Sequence, residues 1–214
     1  MSLFDAPIID FEEGWSFVQK RIKKLQDNLE GLPDTHLSSE DYIMLYTNIY
    51  NICTVNHHNY SEQLCEKYKE VIHEYITSTV LPSLQEKKDE LLLRELLRRW
   101  SNHKTMTIQL SKFFLYLESD ILSYRRLPSL PETSFLSFYN LVYDRLNRQV
   151  MEAIVSMIDR KFVGEIIDET LVKNILKFYL EIGERTGKEE PKQFAKTMMM
   201  KANETFYIHV EASD

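Results

Sequence analysis

The sequence predicts an all-α protein, and three observations carry that prediction. Apolar residues recur at steps of three and four along most of the chain, the period of a helix with one inward stripe. Only five glycines and six prolines punctuate 214 residues, too few for an all-β chain that turns about every 8–12 residues. Apolar residues make up 43% and charged residues 28%, an ordinary globular balance and too apolar for disorder. The length suits one large domain or two small ones, since a domain takes roughly 100–200 residues.

The elements follow in order. From Asp10 the positions Phe11, Trp15, Val18, Ile22, Leu25 and Leu29 form one helical stripe, stopped by Gly31 and Pro33. Ser38 and Asp41 have the spacing of a capping box, in which a hydroxyl and a carboxylate satisfy each other's free amides. They open a second helix to about Thr54. A third runs from Ser61 through Leu64, Tyr68, Val71 and Tyr75 to Val80, where Pro82 interrupts it. A leucine-rich fourth segment, 84–100, leads into a fifth helix over about 101–122. The run Leu127-Pro128-Ser129-Leu130-Pro131 is a break, because consecutive X-Pro units disfavour helix. Beyond it, Phe135, Phe138, Val142, Leu146, Ile154 and Ile158 predict a long helix ending near Gly164. Asp168 caps another that ends at Gly183, residues 184–192 read as a charged loop, and a methionine-rich helix closes the pattern over 193–207.

A net charge of −7 and a pI near 5.5 give no field that favours nucleic acid or an anionic membrane. No stretch approaches the ~18 apolar residues of a spanning helix, and the N-terminus lacks the basic and apolar regions of a secretory signal. The expected location is the cytoplasm or nucleus. Cys53 and Cys65 make no disulfide framework, and the sequons at Asn59 and Asn203 are chance matches.

Three constellations have residue types suited to ligand binding or catalysis. Cys53, His57, His58 and Cys65 are ligand-type side chains within thirteen residues, but zinc takes four ligands on a tetrahedron and their spacing fits no common pattern. Glu70 and His73 form one Glu-x-x-His unit, whereas a di-iron bundle needs two such units and two further glutamates. Arg94, Arg98, Arg99, His103 and Lys104 flank Trp100 in the densest basic patch, which reads as a solvated, salt-bridged helix face before it reads as a nucleic-acid platform. No catalytic or metal residues and no cofactor are expected. A helical-bundle enzyme with a metal or acid–base site stays as the alternative.

The second helix says more. At about 100° per residue, Ile52, Leu45, Ile49, Tyr42, Cys53, Tyr46, Tyr50 and Ile43 cover roughly half its circumference, wider than the ~100° a surface helix needs. Pattern alone favours a helix buried on all sides; the other reading is a face kept for a partner, to which tyrosine is suited. In the fifth helix Met106, Leu110, Phe113 and Leu117 follow one line, while Ile108 and Leu115 lie nearly opposite. One internal repeat is visible. Leu45-Tyr46-Thr47-Asn48-Ile49-Tyr50-Asn51 matches Phe138-Tyr139-Asn140-Leu141-Val142-Tyr143-Asp144 at an offset of 93, suggesting a helical module used twice.

At this point the residues resemble the N-terminal region of cullins, most of all the cullin of Skp–cullin–F-box ubiquitin ligases. The run 42–54 carries the resemblance nearly throughout. Val80-Leu81-Pro82-Ser83-Leu84, Arg99-Trp100-Ser101-Asn102-His103-Lys104 and Leu110-Ser111-Lys112-Phe113-Phe114 extend it, with scattered matches to Glu181-Ile182-Gly183. The resemblance implies cullin-repeat helical bundles stacked into an elongated stalk, with a first repeat over 10–126 that binds the adaptor and most of a second over 127–214. It implies a non-catalytic scaffold that binds an Skp-type adaptor and, through it, F-box proteins, in ubiquitin-dependent degradation. The implied adaptor contacts are Tyr42, Leu45, Tyr46 and Ile49 on the second helix and Lys104, Met106, Ile108 and Gln109 on the fifth. Glu118-Ser119-Asp120-Ile121 departs from the family, which has an arginine and aromatics there. The domain that recruits the RING-box protein lies beyond the matched region, so RING-box binding is not expected from this chain, and a competitor or inactive paralogue is a further reading.

Overall fold

The computed structural model describes residues 10–33, 36–54, 60–122 and 128–211. Helices α1 (Phe11–Leu29), α2 (Ser39–Thr54), α3 (Ser61–Tyr75), α4 (Leu81–Gln85), α5 (Asp89–Phe113), α6 (Leu130–Phe138), α7 (Asp144–Phe162), α8 (Glu169–Thr186) and α9 (Glu189–Glu211) follow in order. Wider π turns occupy Ile76–Val80, Leu117–Leu122 and Tyr139–Tyr143. There is no strand among the described residues, and no helix there is long and apolar enough to cross a membrane.

The chain divides into two compact units. The first takes residues 1–73 and 102–134, the second 74–101 and 135–214.

In the first unit, Phe11, Trp15, Val18, Ile22 and Leu25 of α1 are all buried, as their period requires, and α1 packs on α2. The capping box forms. Ser38 Oγ accepts from the Asp41 amide at 3.1 Å and the Ser38 amide donates to Asp41 Oδ2 at 3.0 Å. That carboxylate also faces Arg21 at 3.3 Å and Lys24 at 3.4 Å, so one residue both starts α2 and pins it to α1. The Ser38 amide, and beside it Lys24, hold the Asp41 carboxyl below its usual range. From α5, Asn102 Nδ2 donates to the Leu29 carbonyl at 2.8 Å, satisfying an otherwise orphaned acceptor at the end of α1. Met106, Leu110, Phe113, Phe114 and Leu117 complete the core with Leu45, Ile49 and Ile52.

In the second unit Trp100 is the hub. Its ring meets those of Phe135, Phe138 and Phe178 at 5.1–5.6 Å, and its Nε1 donates to Glu181 Oε2 at 2.9 Å, so a buried indole keeps its polar partner. Asp168 Oδ1 caps α8 by accepting from the Leu171 amide at 2.9 Å.

Four predicted boundaries are corrected. Pro82 does not stop the third helix, because the preceding π turn lets the Leu81 amide reach back to the Ile76 carbonyl and Pro82 then falls in the first turn of α4, where its missing N–H costs nothing. The chain turns only after Gln85. Helix α5 runs unbroken through 100–101, since nothing there breaks it and Trp100 is anchored from within the helix. Helix α6 starts inside the expected break. Ser129 and Glu132 form a second capping box (2.8 and 3.3 Å) and Pro131 sits in the tolerant first turn. Finally, α8 passes through Gly183 to Thr186, where Gly187 takes the left-handed conformation (φ +68°) that favours glycine. A Cβ on Gly183 would meet Lys192 Cγ at 2.5 Å and the Lys188 carbonyl at 2.9 Å, so that glycine serves the close approach of α9. Only 187–188 separate the two helices.

Candidate functional site

The wide apolar arc of α2 is not buried all round, so the reading that pattern alone favoured does not hold. Leu45, Ile49 and Ile52 lie fully inside the first unit, while Tyr46 and Tyr50 keep 39% and 41% of their surface exposed and Ile43 and Met44 are also open. About 40° of helix separates Ile49 from the core line and about 100–160° separates Tyr46, Tyr50 and Ile43 from it, so the three leave the core on the same side. Their rings are ordered. Tyr46 and Tyr50 stack at 6.4 Å, and Tyr50 takes the edge of Tyr116 at 4.9 Å.

One turn earlier, Tyr42 ties α2 to α5. Its ring lies 5.0 Å from that of Phe113 and its hydroxyl donates to Gln109 Oε1 at 3.0 Å. Beyond Gln109, Ile108 is exposed and Lys104 half-buried. The family-implied contacts therefore separate. Tyr42, Tyr46, Lys104, Ile108 and Gln109 reach solvent at least in part, whereas Leu45, Ile49 and Met106 have no exposed surface and hold the face from beneath. Ile43, Tyr50 and Tyr116 join the face. Ile43 and Tyr50 were already in the sequence arc, and Tyr116 follows Phe113 and Gln109 at helical spacing of three and seven. The departing segment 118–121 falls in the π turn Leu117–Leu122, where burial first and Glu132 second raise the Glu118 carboxyl.

The other candidate constellations resolve differently. Burial pushes the Cys53 thiol up to about 11, against a lowering contact from Ser61; His57 and His58 lie outside the described residues, and no metal-holding group of side chains occurs among the described ones. Glu70 pairs with Lys67 at 2.8 Å. The basic patch is not a solvated face throughout, which corrects that expectation. Arg94 reaches Asp168 at 2.6 Å and Arg98 reaches Glu95 at 2.7 Å, but Arg99 is buried against Glu95 at 2.8 Å and against the Ser83 hydroxyl. The Arg98 and Arg99 guanidinium groups, Arg98 first, hold the Glu95 carboxyl down at about 2. His103 is wholly buried, with Nε2 3.1 Å from both the carbonyl and the hydroxyl of Ser134, and burial lowers it to about 4. At neutral pH it carries no charge to offer a polyanion.

Comparison with known proteins shows the family. The family model described as the cullin alpha solenoid domain matches residues 15–213. The chain is 52% identical over 184 residues to Cullin-1 of Oryza sativa subsp. japonica, covering 86% of this chain and 25% of that protein. It is 44% identical to Putative cullin-like protein 2 of Arabidopsis thaliana (89% of this chain, 51% of the relative) and 37% identical to Cullin-like protein 3 of the same plant (89% and 74%). The chain thus spans a quarter to a half of the first two relatives' length. A domain match over nearly all of its residues, on a helical architecture of the matching class, places the chain in the cullin family.

Proposed function

We propose that this chain is a non-catalytic scaffold segment that docks an Skp-type adaptor, and through it F-box proteins, in ubiquitin-dependent degradation in the cytoplasm or nucleus. The observation that carries the reading is the ordered but uncovered face of α2. Aromatic rings at a rigid surface lose little entropy on binding and are the residues that dominate interface energetics. The contact set is Tyr42, Ile43, Tyr46 and Tyr50 with Lys104, Ile108, Gln109 and Tyr116; Leu45, Ile49 and Met106 support it. On this reading residues 10–126 act as the adaptor-binding repeat and 127–214 as most of a second.

A ligase scaffold works by effective concentration, holding adaptor and loaded conjugating enzyme on one body. On this reading residues 10–126 supply the adaptor end. Titrated into a ligase reconstituted with a full-length cullin, the chain is expected to capture the adaptor and to inhibit substrate ubiquitination in proportion to its concentration, without supporting any by itself. Unchanged ubiquitination at saturating chain rejects the competitor reading, and failure of the purified chain to bind adaptor at all rejects the docking face.

A further inference from the structure

The two runs that build the uncovered face of the first unit hold almost no charge. Residues 42–54 carry no charged side chain, and residues 102–117 carry Lys104, Lys112 and the buried His103 but no carboxylate. Of the carboxylates that bracket these runs, Asp41 is engaged by Arg21 and Lys24, and Glu118 is half-buried. Lys112 stands in the middle of the face. It follows Gln109 by three residues and precedes Tyr116 by four, so all three lie on one flank of α5. Gln109 accepts from the Tyr42 hydroxyl and Tyr116 meets the Tyr50 ring, which sets Lys112 between two points where that flank touches α2. Its neighbours on the helix surface, Ile108 four before it and Leu115 three after it, are exposed. Lys112 is itself exposed and forms no ion pair or hydrogen bond among the described residues.

We propose, resting on the docking reading above, that Lys112 is a specificity-determining contact and that the adaptor brings a carboxylate of its own, within an otherwise apolar docking surface, to meet it. An ammonium in open water keeps its hydration, but one covered by an apolar partner loses it and is tolerated only when paired. Neither run of this chain holds a carboxylate to make that pair, so the partner supplies it. Complementarity of this kind acts on partner choice more than on affinity. Tyr46 and Tyr50 supply contact area that would accept many apolar surfaces. Lys112 narrows the choice, because a surface of the same shape with an apolar or basic residue at that place leaves the ammonium covered and unpaired.

The test is calorimetric binding of a purified Skp-type adaptor that carries no phosphate to the full chain and to its Lys112→Met, Lys112→Arg and Lys112→Glu variants. Lys112→Met keeps the apolar stem and removes the charge. It should weaken binding about ten-fold or more and Lys112→Glu about 100-fold or more, while Lys112→Arg stays close to the unaltered chain. Raising salt from about 50 to about 500 mM should narrow the gap between the unaltered chain and Lys112→Met. All four should melt alike, since an exposed ammonium outside any ion pair holds nothing in the fold. Binding of Lys112→Met as tight as that of the unaltered chain, or tighter, overturns the proposal, because the face would then need apolar contact alone. An adaptor that does not bind the unaltered chain is a different result: it overturns the docking reading, and this contact with it.

Discussion

Residues 45–51 of the first unit and 138–144 of the second share two tyrosines four apart and an apolar residue just before each, and the two segments are treated alike only on their inner side. Leu45 and Ile49 are fully buried, as are Phe138 and Val142. Each segment then stacks its two tyrosines, Tyr46 on Tyr50 at 6.4 Å and Tyr139 on Tyr143 at 4.7 Å. Yet Tyr139 and Tyr143 retain only 8% and 4% exposure, far below the two-fifths of the first pair. The difference lies in what comes later in the chain. Helix α8 sets Tyr179 edge-on to Tyr143 at 5.5 Å, and the turn into α9 puts the Lys188 ammonium 5.7 Å from the Tyr139 ring. The same motif is thus a core element where its own chain covers it and a presentable face where its two rings stay two-fifths exposed.

The largest expected effects come from stripping each pair in turn. Tyr139→Ala with Tyr143→Ala removes two covered rings and should cost about 3–5 kcal/mol of stability per ring in denaturant titration, leaving adaptor affinity unchanged in whatever fraction stays folded. Tyr46→Ala with Tyr50→Ala should do the reverse, sparing the melting temperature and weakening adaptor binding by about 2–4 kcal/mol, or 30- to 1000-fold by calorimetry. If both pairs proved equally costly to stability, exposure would not be what distinguishes them.

Met106→Ala sharpens the comparison within the first unit. Its family-implied place is at the interface, but its side chain is fully buried, so truncation should cost about 2–5 kcal/mol of stability. Adaptor affinity of the folded protein should fall less than for Tyr46→Ala. A variant with normal melting and abolished binding would return Met106 to the contact set.

Acid should act on the first unit through His103, whose folded value near 4 lies well below the ordinary histidine range near 6.5. Between those values the unfolded chain binds the proton and the folded chain does not, so stability is full above about pH 6.5 and falls as pH drops toward 4. The loss amounts to about 3 kcal/mol at 1.36 kcal/mol per pH unit. In the second unit Glu95 adds its own loss only at lower pH, between about 4.5 and 2. His103→Gln should flatten the slope of unfolding free energy from pH 6.5 to 4.5, and an unchanged slope would assign it to other groups.

What was legible in the sequence was local. The α1 stripe, the Ser38–Asp41 box and the Asp168 cap are set by residues within one or two turns of each other, and they appear as read. Continuity across Pro82, 100–101 and 184–188 was not legible, because it depends on a π turn, on the Trp100 cluster and on Gly183 meeting Lys192, contacts made in space. The site divides the same way. Half a helix circumference of apolar residues marks α2 as unusual, but nothing within the run tells Ile49, which is buried, from Tyr50 beside it, which is not. That distinction belongs to α1 and α5, and for the second copy of the motif to Tyr179, thirty-six residues beyond Tyr143.

The smallest change tests how far the exposed face is held in shape before any partner arrives. Tyr42→Phe keeps the ring against Phe113 at 5.0 Å and deletes only the hydroxyl that donates to Gln109 at 3.0 Å. Because the bond is part-buried and both groups can turn to water, its loss should cost only about 0.5–1.5 kcal/mol of stability. Its effect on binding separates two roles for Tyr42. If the hydroxyl works by fixing Gln109 and the distance between α2 and α5, then Gln109→Ala should weaken the adaptor by the same small factor. The double variant should then be no worse than either single one, because the two share one interaction. If Tyr42 instead meets the adaptor through its hydroxyl, Tyr42→Phe should exceed Gln109→Ala and the two losses should add. Calorimetric affinities of the four proteins decide between a tyrosine that presents the face and one that is part of it.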